Sequence, residues 1–146
     1  MGYDLERFVR AQTKGDVYGS TYEDALREIQ HGWKQTHWIW YVFPQLRELG
    51  KSRMALFYGI KDLGEAKAYL AHPVLGPHLE EISRAMLGIE GKSALQVLGP
   101  IDCSKLRSCM TLFACVEGSD PVFREVLAKL LLVNVREGEH GETSPC

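Results

Sequence analysis

The chain has 146 residues, 45% of them hydrophobic, with 17 basic and 19 acidic side chains for a formal charge of −2. That length suits a single domain burying roughly 70% of its unfolded surface, and the balanced charge gives no electrostatic case for nucleic acid or for an anionic membrane. No apolar run approaches the roughly 20 residues of a membrane span, and Met1 to Arg10 has alternating charges where a signal peptide has an apolar core, so a soluble, cytoplasmic protein is expected.

In chain order, Leu5, Phe8, Val9 and Gln12 share one helical face behind Asp4 as N-cap. Ser20 and Glu23 have capping-box spacing, and Tyr22, Leu26, Ile29 and Trp33 follow at helical intervals. The most apolar segment comes next, His37-Trp38-Ile39-Trp40-Tyr41-Val42-Phe43-Pro44-Gln45. Its residues favour pleated structure, yet no partner strand is visible, and a lone strand would leave its backbone groups unpaired in the interior. A buried helix or irregular turn is therefore expected, stopped by Pro44, which steers Phe43 away from the helical region.

Asp62 and Glu65 again have capping-box spacing, ahead of the stripe Leu63, Ala66, Tyr69 and Leu70. Pro73 suits the start of a helix carrying Leu75, Leu79, Ile82 and Met86. Ser93 caps a short helix to Leu98, Gly99-Pro100 breaks it, and Asp102 is the cap expected for the next, with Leu106, Cys109, Met110 and Phe113 inward. Asp120-Pro121 opens a last helix through Val122, Phe123, Val126, Leu127 and Leu130. The expectation is all-α: a compact multihelical single domain of about six to eight helices over residues 1–134. Residues 135–146, rich in Glu and Gly without apolar periodicity, are expected to form a disordered tail.

Four blocks carry a family resemblance: the aromatic stretch 37–45; Glu65-Ala66 with Tyr69-Leu70-Ala71-His72-Pro73-Val74-Leu75-Gly76; Lys105-Leu106-Arg107-Ser108 with Met110-Thr111-Leu112-Phe113; and Asp120-Pro121-Val122-Phe123. Together they resemble the family called domain of unknown function 1810. The resemblance implies a compact multihelical domain and brings no established activity. Some members are labelled calpastatin-like, but calpastatins are disordered inhibitors, whereas this chain has the apolar content of a packed globule. Two departures stand out. Relatives resemble one another in a basic residue where this chain has His78, and after Leu130 the family pattern continues into an aromatic turn and helix that Leu131 to Cys146 do not resemble.

The polar ends of the aromatic stretch are the first candidates for chemistry. His37 is the candidate catalytic residue as general base, and equally a candidate ligand contact or a donor to a carbonyl. Trp40 offers a stacking face, although core packing of both tryptophans is the plainer expectation. Gln45 suits an amide or base edge, or a tied-down turn. His72 is expected to cap carbonyls at a helix end, or to join a site. Lys105, Arg107, Ser108 and Thr111 fall on neighbouring lines of one helix, where cations and hydroxyls can hold a phosphate or carboxylate, with Asp102 as cap or as partner of Lys105; a plain solvated face is the alternative.

The cysteines, at 103, 109, 115 and 146, form no Cys-x-x-Cys pair and have no histidine at ligand spacing, so no metal site or cofactor is signalled and reduced, mostly buried thiols are expected. Nucleotide-loop, nucleophile-elbow and zinc-protease motifs are absent. The best reading is a small-molecule-binding protein, with enzymatic activity left open, acting on an anionic or nucleotide-like ligand. The alternative is a non-catalytic protein-interaction or self-association module.

Overall fold

Two helices of 15 residues, α8 (Pro100–Ala114) and α9 (Val122–Arg136), pack against each other and form the frame of the domain, with α6 (Leu75–Leu87) against α9. This is a computed structural model describing residues 3–16 and 19–136, the side chains of 131–136 excepted. Around the frame lie α1 (Glu6–Lys14), α2 (Tyr22–Gln30), α3 (Ile39–Val42), α4 (Arg53–Phe57), α5 (Leu63–Ala71) and α7 (Ala94–Leu98), with a 3-10 turn at Arg47–Leu49. The fold is all-α. Among the described residues the only extended pairing is one parallel bridge between Leu46 and Ile60. The expected tail lies outside the described residues from 137 onward, and α9 is helical to Arg136.

The aromatic stretch is a single helical turn, and its backbone is paired from within: the Val42 and Phe43 N–H groups donate to Trp38 and Ile39 carbonyls at 3.2 and 3.0 Å. Trp38, Tyr41 and Phe43 are buried in the core. Trp40, which the sequence reading placed with Trp38, is half-buried, because one helical turn points the two indoles differently.

The caps are close to expectation, with informative shifts. At α2 the capping box is formed by Thr21 and Asp24, one residue beyond the expected Ser20 and Glu23. At α5 Asp62 accepts from the Glu65 N–H at 2.9 Å as expected, but the Glu65 carboxylate is turned elsewhere. Ser93 caps α7 with Gln96 completing the box. Two expected caps fail: α1 has no side-chain cap, and α8 begins at Pro100 after Gly99, whose φ of +87° suits glycine. Asp102 instead pairs with Lys34 at 2.9 Å, joining α8 to the loop after α2. Gly76 is required by packing, since a Cβ there would run into the Leu70 carbonyl oxygen.

Cys109 is a buried thiol and Cys103 a half-buried one, both outside any disulfide, whereas Cys115 departs from the expected reduced state in being disulfide-bonded.

Candidate anion-binding cleft

The side chains selected from sequence separate into two sets. Trp40, Gln45 and Lys105 line one recess beside Gly59, with the Lys105 ammonium 5.7 Å from the Trp40 ring centroid and the His37 ring 6.4 Å from the same indole. That recess measures about 10 Å³, the space of roughly one water. The remaining candidates are not part of it. His72 Nδ1 accepts from the Val74 and Leu75 N–H groups at 3.1 and 3.3 Å, so it caps the start of α6 and not the end of α5. The Thr111 hydroxyl donates to the Arg107 carbonyl at 2.8 Å within α8, and Arg107 and Ser108 are half-buried on the same helix. Of the candidates, Trp40, Gln45 and Lys105 thus share a recess, with His37 beside Trp40, while His72 and Thr111 bond to nearby backbone.

A larger hollow, about 380 Å³ and also bordered by Gly59, lies between the start of α1, the end of α4 and the segment entering α5. Its floor is Arg7. The buried guanidinium donates from Nε to the Phe57 carbonyl at 2.9 Å, from Nη2 to the Gly59 carbonyl at 2.9 Å, and from Nη1 to Glu65 at 3.0 Å and to the Asp4 carbonyl. These bonds use four of the five guanidinium N–H groups, leaving one on Nη2. The second Glu65 oxygen accepts from the Lys61 N–H at 2.7 Å, so the carboxylate is fully engaged and fixes both Arg7 and the entry to α5.

The rim adds two further cations. Arg47 and Lys61 line the cleft, are exposed, and have no ion-pair partner among the described residues. Lys61 Nζ lies 5.9 Å from the Tyr3 ring centroid. The Tyr3 hydroxyl donates to Asp62 at 3.1 Å, and that hydrogen bond raises its pKa. Phe57, 53% exposed, supplies an open aromatic face and meets Tyr58 edge-on at 4.8 Å. With Asp4 and Glu65 as the acids and Arg7, Arg47 and Lys61 as the bases, the lining carries one net positive charge. An anion entering it meets one cation already fixed, Arg7, and two exposed ones at the rim.

Other buried polar groups are satisfied in place. Glu28 accepts from the Trp38 indole N–H at 2.9 Å, the Gln35 and Thr36 N–H groups, and the Thr36 hydroxyl. Half-buried His78 lies flat on Tyr22 at 3.8 Å between ring centroids, with Nδ1 2.7 Å from the Gln12 side-chain oxygen. Among the described residues no cluster of three or more His, Cys, Asp or Glu side chains could hold a metal ion, and no helix is long and apolar enough to cross a membrane.

The cleft escaped the sequence reading because its residues come from four separate segments. The local signals were an arginine bordering the apolar face of α1 and an acidic residue at the third position of α5, each ordinary by itself.

The chain is similar to a protein of known structure, described as the conserved hypothetical protein Rv1873 from Mycobacterium tuberculosis. The two are 40% identical over 90% of this chain and 96% of that one, with a TM-score of 0.81. No curated protein matches. The family match reaches residue 138, further than the lapse after Leu130 expected from the sequence blocks. Matched across residues 2–138, the chain belongs to the family described as "Protein of unknown function (DUF1810)".

Proposed function

We propose that the protein binds a small anionic or nucleotide-like ligand in the cleft between α1 and α4. The observation that carries this reading is that Arg7 and two cations lacking ion-pair partners among the described residues, Arg47 and Lys61, line one hollow of about 380 Å³. The volume lies within the ~300–1,000 Å³ typical of small-molecule sites. Arginine and lysine differ in what they add: the guanidinium offers directed donors and the ammonium a mobile point charge. Of the residues selected from sequence, Trp40, Gln45 and Lys105 are kept as neighbours of the site, since Gly59 lines both hollows, with His37 beside Trp40. His72, Arg107, Ser108 and Thr111 are left outside it. A cytoplasmic location fits this reading.

Thermal melting with inorganic phosphate and with adenosine monophosphate tests it. A ligand at about a hundred times its Kd adds about 2.7 kcal/mol, a shift of several degrees for a domain of this size. The shift is expected in the native protein and is expected to be lost in the Arg47→Ala, Lys61→Ala double variant. Equal melting temperatures with and without every anion would remove the proposal.

A second reading, a self-association module, draws on Trp33 and Ile101, 61% and 72% exposed. Lys34 brings them into one region, pairing with Asp102 while its N–H donates to the Val97 carbonyl at 2.9 Å. A monomer at high concentration in sedimentation would count against this reading and leave the first intact.

A further inference from the structure

Resting on the reading of the cleft as an anion site, we infer that its ligand class is the nucleoside monophosphates, with the phosphate between Arg47 and Lys61 and the base on Phe57. Three features narrow the class. The two rim cations, without ion-pair partners among the described residues, match a phosphate monoester, which carries about −1.5 to −2 at neutral pH. A triphosphate brings more charge than the rim offers, and the Asp4 carboxylate on the same lining repels the excess.

The second feature is Phe57. An aromatic ring more than half exposed at the mouth of a cationic cleft presents a face on which any base can stack. Its main chain is tied down from the cleft: the Arg7 Nε donates to the Phe57 carbonyl at 2.9 Å. The third is Asp4 itself. Its carboxylate accepts no hydrogen bond among the described residues, and a carboxylate is the group that accepts from paired ribose hydroxyls. The cleft's volume, near the lower end for small-molecule sites, suits one nucleotide.

Calorimetric titration of the full chain with inorganic phosphate, adenosine, adenosine monophosphate and adenosine triphosphate tests the assignment. The monophosphate is expected to bind at least tenfold tighter than phosphate or adenosine alone, and the triphosphate no tighter than the monophosphate. Phe57→Leu, a change at a half-exposed position, is expected to weaken the monophosphate about tenfold and leave phosphate unchanged. Arg47→Ala is expected to weaken both. If phosphate and the monophosphate bind equally, or Phe57→Leu alters neither, the nucleotide assignment falls while the anion cleft stands. A triphosphate binding tenfold tighter overturns the monophosphate class alone. Absence of binding by all four ligands overturns both readings together.

Discussion

Arg7 and Glu65 meet at 3.0 Å in the interior, joining the first helix to the fifth across 58 positions of sequence. Each is nearly inaccessible, and neither relies on the other alone: Arg7 also holds three carbonyls, and Glu65 also holds the Lys61 N–H. Removing one partner of such a pair strands a buried charge. Glu65→Ala is therefore expected to cost about 3–5 kcal/mol in urea unfolding, and to weaken phosphate binding by loosening the cleft floor. A cost below about 1 kcal/mol would show that the pair does not organise this region.

Glu28 makes stability depend on acid. Burial pushes its carboxyl pKa up, but the hydrogen bonds from Thr36, the Trp38 indole and the Gln35 N–H together outweigh it and hold the value below the ordinary 4.5. The folded state thus binds this proton less readily than the unfolded chain. The resulting stabilisation is present above about pH 4.5 and is lost as pH falls through the folded value. Glu28→Gln is expected to cost about 2–3 kcal/mol at neutral pH, with the difference from the native protein shrinking in acid. A pH-independent difference would contradict the assignment.

His78 acts in the same direction at a higher pH. Burial lowers its pKa from 6.5, against opposing influence from Glu81 and Glu23. Protonation is therefore harder in the folded state, and stability is expected to decline as pH drops below 6.5 until the folded value is passed. Replacing His78 with Gln removes this titration. Denaturant midpoints measured across that range would then run flatter than those of the native chain.

The two tryptophans of the aromatic stretch should behave unequally. Trp38, 0% exposed and bonded to Glu28, is expected to cost about 4 kcal/mol when changed to Ala. Trp40, half-buried beneath Lys105, is expected to cost about 1 kcal/mol. Equal losses, read from urea midpoints, would place both in the core.

What the sequence made legible was local. Apolar spacing marks α2, α6, α8 and α9 because a helix repeats its inward face every three or four residues, and Ser93 marks α7 because capping acts within one turn. Shifts of one residue, as from Ser20 to Thr21, follow from neighbours with equivalent hydroxyls. The cleft was not legible because it depends on where α1 meets α4 and α5. Arg7 and Glu65 look like surface charges until the fold brings them together, and Asp102 looks like a cap until Lys34 arrives from a different loop. The aromatic stretch was read correctly as apolar and buried, but the outward turn of Trp40 depends on which side of one helical turn faces the core.

The most direct measurement of the central claim is an amide chemical-shift map of the protein titrated with adenosine monophosphate. The cleft predicts saturable shifts at Asp4, Arg47, Phe57, Gly59 and Lys61, absent in the Arg47→Ala, Lys61→Ala double variant. Shifts confined to His37, Trp40 and Lys105, or no saturable shifts at all, would contradict it.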